Sequence, residues 1–513
     1  MRDASQATAT DATASGATAV DVLIVGAGFA GIGMGIQLTR SGRESFVIIE
    51  QAHDVGGTWR DNRYPGVSCD IPSHLYSFSF RPNPAWSRVF AEGREIHDYL
   101  RACVRDEGLD EHLLLNCALE EAAWHDADAR WHVHTTQGDF EAVNLVIATG
   151  RLSEPKLPLI KNLDGFGGRW WHSARWNAKV SLVGKRVGLI GTGASAIQIL
   201  PRLAAEACEV AVFQRSAPYV LPRGDREYSR EEMERFAADP GTVTALRDEL
   251  FAEAERNIGA RQRRHPDIDL LRQRALDHLA ASVPDVETRR LLTPDYEIGC
   301  KRILFSDDYY SALQRDHVTL EPTPLTRIAD DSGTTAGRGN RLAVAASGNS
   351  YELDVLVLAT GFNSTRPSIA GHIHGRQSRL LADEWGNGMA AHASTTVHGF
   401  PNMYVLDGPN TALGHNSAIY MIETQIGYVL GALDHLAASG ADALDVTAEA
   451  VRAYVRDIDE MARDTVWVQG GCTSWYRDEQ TGRVTLLWPD SATSFRDRLA
   501  TFVPASYEHL HLS

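Results

Sequence analysis

At roughly 150 residues per folding unit, a chain of 513 residues implies about three units. Its 50 Lys and Arg against 67 Asp and Glu leave a formal net charge of −17, which repels phosphate backbones and anionic lipid and argues against nucleic-acid and membrane partners. With 43% hydrophobic residues it can bury large cores. No run approaches the roughly 18 apolar residues of a membrane span, so a soluble protein is expected, and any phosphate-bearing ligand has to be met by local positive features.

Residues 1–19 are rich in Ala, Thr and Ser, with Arg2, Asp3 and Asp11 but no apolar centre. The stretch fails as a signal peptide and reads as the disordered tail of a cytoplasmic protein. The six cysteines, Cys69, Cys103, Cys117, Cys208, Cys300 and Cys472, include no C-x-x-C pair and no zinc-like His/Cys spacing, so neither a disulfide nor a metal site is expected.

Order begins with the apolar run at residues 20–25, a strand of the kind a sheet covered on both faces requires. It passes into Gly26-Ala27-Gly28-Phe29-Ala30-Gly31, a helix to about Thr39, and a second strand at residues 45–49 that ends on Glu50. The same order returns at residues 186–190, Gly191-Thr192-Gly193-Ala194-Ser195-Ala196, a helix to about Ala205, and a strand at residues 209–213. Two apolar strands with a common ending, Ala148-Thr149-Gly150 and Ala359-Thr360-Gly361, each close one of these folds. Between Asp225 and Arg290 the composition turns charged and helix-favouring, which predicts a helical insertion. After Pro401 a strand at residues 403–406, the turn Gly408-Pro409-Asn410 and a helix from about Ser417 return the chain to the first fold.

The expected class is therefore α/β: two Rossmann-like dinucleotide-binding domains, for FAD and NADP, with a helical insertion. Residues 20–150 and 390–513 form the first domain, 151–224 and 299–389 the second, and 225–298 the insertion.

In the first turn Gly26 permits the tight strand-to-helix passage, Gly28 lets backbone approach a pyrophosphate, and Gly31 allows close helix packing. Glu50 falls 19 residues after Gly31, close to the roughly 20-residue offset of a carboxylate that accepts ribose hydroxyls. In the second turn the last glycine is replaced by Ala196, and the following strand ends in Gln214-Arg215. An arginine at a strand end is often a solvated group, but beside a dinucleotide turn it suits a 2′-phosphate. One fold marked for an unphosphorylated ribose and one for NADP imply hydride transfer from NADPH to a flavin. Without a paired redox-active cysteine near the flavin, dioxygen is the leading acceptor.

At this point the residues resemble the flavin-dependent Baeyer-Villiger monooxygenases, which insert one oxygen atom of dioxygen beside a ketone carbonyl. The resemblance covers almost the whole chain after the tail. It is carried by F-x-G-x-x-x-H-x-x-x-W, met by Phe166, Gly168, His172 and Trp176, and by G-x-W-x-x-x-x-[FY]-P-G-x-x-x-D, met by Gly57, Trp59, Tyr64, Pro65, Gly66 and Asp70. Asn177 stands where family members often carry Pro or Asp.

The resemblance implies a flavin peroxide kept deprotonated by a fixed cation. Arg302 in Gly299-Cys300-Lys301-Arg302 matches the catalytic arginine, and Asp70 the carboxylate that pairs with it. The alternative for these two residues is a structural ion pair at a domain interface. Turns and resemblance together give a cofactor-binding set of Gly26, Gly28, Gly31, Glu50, Gly57, Thr58, Trp59, Ser68, Asp70, Tyr76 and Asn416, with Gly191, Thr192, Gly193, Ala194, Ser195, Gln198, Gln214, Arg215, Lys301, Arg302 and Trp475. Trp475 reads equally as a core residue, and His172 as a hinge or packing residue rather than an acid or base. The loop from Gly408 to Ser417 is expected against the flavin ring. A ketone and dioxygen are the implied substrates, with N- or S-oxygenation and a catalytically silent redox sensor as rivals.

Overall fold

The computed structural model describes residues 16–329 and 341–512. Most of the expected tail lies outside the described residues, and the first strand, Thr18–Val25, begins two residues inside the range assigned to it. Among the described residues no helix is long and apolar enough to cross a membrane.

The first sheet runs in the order Leu113–Leu115, Phe46–Glu50, Thr18–Val25, Gly138–Ile147, Arg130–Thr135, Leu119–His125 and Ile373–His374, with Met403–Val405 also paired to the far end of Gly138–Ile147. Thr18–Val25 is parallel to both neighbours, placing its C-terminal end beside Glu50 on one side and Ala148 on the other. Alternate residues point to opposite faces of a strand, and both faces are covered here: Val22 and Ile24 enter one core with the helices Phe29–Arg40 and Ala418–Ser439, while Leu23 and Val25 enter another. This is why the run lacks any polar alternation. Fully buried side chains such as Leu23 and Ile24 stabilise the sheet by about 1.5–3 kcal/mol each.

The second sheet is parallel throughout, in the order Val318–Glu321, Glu209–Phe213, Arg186–Ile190, Val355–Leu358 and Arg169–His172. The residues that follow Phe166 and Gly168 thus form its edge strand, which ends at His172. Gly168 has no room for a side chain, since a Cβ there would lie 2.4 Å from the Asp354 carbonyl oxygen.

The chain rejoins the first sheet at Ile373–His374, which pairs with Leu119–His125, earlier than the boundary at residue 390. The insertion contains the helices Arg230–Ala238, Pro240–Arg256, Ile258–Arg261, Asp267–Ser282 and Val286–Leu291. The expectation of no disulfide is overturned: Cys300 and Cys472 are bonded across a sequence separation of 172 residues. No local spacing announces such a pair, because the fold alone brings the two segments together.

A candidate dinucleotide and oxygenation site

Both Gly-rich turns are built by one device. Gly26 and Gly191 share a φ of +106°, and a Cβ would sit 2.7 Å from the Ala148 carbonyl oxygen at the first and 2.5 Å from that of Ala359 at the second. The two Ala-Thr-Gly strand ends therefore press against the turns, and only glycine fits the gap. The turns lead into the helices Phe29–Arg40 and Ala194–Glu206, whose N-termini carry no side-chain cap and no acidic residue in the first turn. Ser229, Asp239, Asp285, Ser417, Thr447 and Ser491 cap other helix starts of this chain. The first amides of these two helices have no side-chain cap, which fits a pyrophosphate at each. Gly57 faces Gly28, with a Cβ on Gly57 falling 3.3 Å from the Gly28 Cα, so the two backbones approach closely at the first turn.

Glu50 is buried, accepts from the backbone amides of Ala27 (3.0 Å) and Ala52 (2.9 Å), and pairs with the buried Arg60 at 2.9 Å. Its carboxylate is thereby tied to the first turn itself. Thr58 opens the short helix Thr58–Asp61, which presents Trp59. The Trp59 indole donates to the Tyr76 hydroxyl at 3.3 Å and meets the Tyr76 ring edge-on at 5.5 Å.

Asp70 and Arg302 form a bidentate pair, Nε to Oδ2 and Nη2 to Oδ1, both at 2.7 Å. Burial alone pushes the Asp70 carboxyl up, but Arg302 and then Arg223 outweigh it and hold it below the usual aspartate value. Burial likewise works against the Arg302 charge, and Asp70, with a smaller contribution from Tyr476, more than restores it. The arginine is therefore a permanent cation held in a fixed plane. The pair joins the two halves of the molecule, as does Gln198, which accepts from Tyr64 at 3.0 Å and donates to the Ser68 carbonyl at 3.0 Å. Ser195 lies beside the Tyr64 hydroxyl.

At the second turn the Thr192 hydroxyl donates to the Ser216 carbonyl at 3.0 Å, while Gln214 is buried with its amide on the Leu291 carbonyl at 2.8 Å. Gly193 caps the helix that begins at Ala194. Lys301 donates to Ser216 Oγ at 2.6 Å and lies 4.5 Å from the centre of the Tyr296 ring. Burial, reinforced by the exposed Arg215, depresses the Lys301 pKa. Two cations thus crowd together at a strand end, an arrangement that an anionic 2′-phosphate would relieve.

Trp475 is 37% exposed, tilted against Tyr476 at 4.4 Å between ring centres, and leaves a large flat face free beside the buried Tyr476. His172 is buried; its Nδ1 accepts from the Ala174 amide, its ring meets Phe362 edge-on, and burial lowers its pKa to about 4. It is neutral at pH 7. Trp176 packs edge-on against Trp171 at 5.7 Å.

The structure also supplies residues that sequence reasoning missed. Glu255, from the insertion helix Pro240–Arg256, accepts from Asn416 Nδ2 at 2.9 Å and lies 3.2 Å from His415 Nε2. It also takes the backbone amides of Ala492 and Thr493. Burial raises its pKa, but these donors bring it down to about 2. The Asn416 side chain is thus occupied by Glu255. Arg261 is buried with no carboxylate partner among the described residues, donates to the Gly414 carbonyl at 3.1 Å, and has its pKa lowered to about 10 by burial, with Arg302 adding to the fall.

Two dinucleotide folds joined at a fixed arginine–aspartate pair define an NADPH-dependent flavin monooxygenase that uses FAD. Residues 23–231 match the family described as pyridine nucleotide-disulphide oxidoreductase. The chain is 42% identical to a Baeyer-Villiger monooxygenase of Streptomyces coelicolor, over 96% of this chain and 93% of that protein. It is 39% identical to a Baeyer-Villiger monooxygenase of Pseudomonas aeruginosa, over 98% and 94% respectively. Its fold matches that of a cyclohexanone monooxygenase from Rhodococcus sp. Phi1 bound to NADP+, with a TM-score of 0.85 at 26% identity, covering 96% of this chain and all of that one. A steroid monooxygenase bound to NADP matches with a TM-score of 0.81 at 30% identity and the same coverage. The chain belongs to the Baeyer-Villiger monooxygenase family.

Proposed function

We propose that this enzyme oxygenates a ketone to an ester or lactone, and that Arg302 and Asp70 are the residues that make a carbonyl its target. The bidentate Arg302–Asp70 contact is the observation that carries the reading. Bound FAD, reduced by NADPH, supplies the activation of dioxygen; the chain's own residues supply position and charge. Arg302 presents a cation to the negative charge that develops on the substrate's carbonyl oxygen, and Asp70 keeps its guanidinium from rotating away. Arg215 and Lys301 receive the 2′-phosphate of NADPH. Trp475 covers the site, excluding water from it. A cyclohexanone-bound structure of a similar protein, a cyclohexanone monooxygenase, supports a ketone as the substrate class.

The test is a panel of linear, cyclic, aromatic and steroid ketones, with a thioether and an amine, assayed by mass for a product heavier by one oxygen. Ketone-derived esters formed with NADPH, and far more slowly with NADH, are expected. Oxygenation of the thioether or amine alone would overturn the carbonyl assignment.

A further inference from the structure

The disulfide joins two segments that the proposed function uses together. Cys300 stands two residues before Arg302 and next to Lys301, while Cys472 stands three before Trp475 and four before Tyr476. Without the bond the contact between these segments is slight in polar terms: the Glu297 amide donates to the Gly470 carbonyl at 2.9 Å, and the Tyr476 hydroxyl faces Arg302. The approach is close enough that a Cβ on Gly470 would lie 2.7 Å from Cys300 Cβ and 3.0 Å from its sulfur. The Glu297 side of the contact is anchored, since Arg272 holds that carboxylate by two bonds of 3.0 and 2.7 Å. The Cys472 side leads into the partly exposed Trp475. A cross-link between an anchored turn and a partly exposed loop restricts mainly the loop.

We infer that Cys300 and Cys472 are a site of reversible oxidation, with a peroxide as oxidant and a dithiol as reductant, and that closing the bond clamps the Trp475 loop over the catalytic segment. The consequence for turnover rests on the roles proposed for Arg302 and Trp475. In the oxidation one thiolate attacks the peroxide, the O–O bond breaks, and a sulfenic acid forms with release of one water. The second thiol then displaces a second water, so two S–H bonds and one O–O bond give one S–S bond and two waters. A dithiol reverses this through a mixed disulfide and is itself oxidised. Hydrogen peroxide is also what reduced flavin and dioxygen release when oxygen does not reach a substrate. The enzyme thus makes the oxidant for its own clamp whenever the site leaks, and the clamp reduces the leak.

The remaining thiols are set apart from this chemistry. Burial pushes the Cys69 and Cys103 thiols up, the latter to about 11, so these two stay protonated, and Cys117 is buried against the Thr135 hydroxyl. Cys300 is buried as well, so a peroxide reaches the pair from the side of the partly exposed Cys472. Cys208 is exposed and is removed as Cys208→Ser for the test.

The FAD-loaded Cys208→Ser enzyme is reduced with dithiothreitol, desalted, and titrated with hydrogen peroxide. Alkylation and mass spectrometry of the peptides bearing residues 300 and 472, limited proteolysis after Arg477, the Kd for NADP+, and peroxide released per NADPH are read on both forms. Cys300 and Cys472 should lose alkylation together, with slower cleavage, tighter NADP+ binding and several-fold less peroxide per NADPH in the oxidised form. Cys300→Ala and Cys472→Ala should behave as the reduced enzyme whatever the treatment. Thiols that remain alkylatable after peroxide, or two forms alike in cleavage, NADP+ affinity and coupling, would overturn the inference. If the thiols and the loop respond as stated but neither form oxygenates a ketone, the ketone assignment fails while the redox site stands.

Discussion

The two nucleotide halves of this chain share a backbone plan and differ in two side-chain positions, one early in the helix and one at the end of the second strand. Each has a parallel strand, a glycine at φ +106° pressed by an Ala-Thr-Gly strand end, and an uncapped helix N-terminus. In the first half a Cβ on Gly31 would stand 1.9 Å from the Gly26 carbonyl oxygen, and a buried Glu50 closes the turn. In the second half Ala196 occupies the matching place with its side chain buried, and the strand ends at the exposed Arg215 beside Lys301. The pyrophosphate device is shared because it uses backbone, whereas ribose discrimination rests on side chains and is free to differ.

The largest break in this comparison falls where the halves meet. Arg302→Ala should lower the ketone oxygenation rate by about 10²–10³-fold, the scale for removing one charge-stabilising group, while NADPH oxidation with peroxide release continues. Gly31→Ala comes next: the overlap with Gly26 forces the helix away, and the purified protein should lose most of its FAD, read by flavin absorbance per chain. The converse change, Ala196→Gly, meets no such contact and should cost only about 1 kcal/mol in thermal unfolding, with NADPH still bound. Arg215→Ala should raise the KM for NADPH by about tenfold and leave that for NADH unchanged, since a tenfold change corresponds to one modest charged contact of about 1.4 kcal/mol.

The smallest effect is a pH slope. With its pKa lowered from 4.5 to about 2, Glu255 stabilises the fold fully above pH 4.5, and that stability is lost as pH falls toward 2. The full term is on the order of 3 kcal/mol, so melting of Glu255→Gln should be lower at pH 7 and less sensitive to acid across this window than the wild type. A variant with the wild-type slope would remove Glu255 as the anchor of the Asn416 loop.

Much of this organisation is legible in the sequence because it is local. Strand, turn, helix and strand lie within about thirty residues, and Gly26 and Gly191 are demanded by backbone conformation at their own positions. Asp70 and Arg302 are 232 residues apart, and only the family resemblance pairs them. What escaped is what the fold creates. Glu255 is one acidic residue in a charged helical stretch, indistinguishable there from its solvated neighbours, until the insertion folds over the loop at Asn416 and the start of the helix Ala492–Leu499. Arg261 similarly reads as a surface arginine, yet it is buried against Gly414. The Cys300–Cys472 bond has no spacing signature, and the edge strand Arg169–His172 is too short for periodicity to reveal.

The central claim, that the two halves cooperate to place one atom of dioxygen beside a carbonyl under the charge of Arg302, is tested most directly with ¹⁸O₂. Wild-type enzyme given NADPH and a turned-over ketone should yield an ester carrying one ¹⁸O atom, the other passing to water, while Arg302→Ala consumes NADPH and returns labelled peroxide without ester. Unlabelled ester from the wild type, or labelled ester at the wild-type rate from Arg302→Ala, would contradict it.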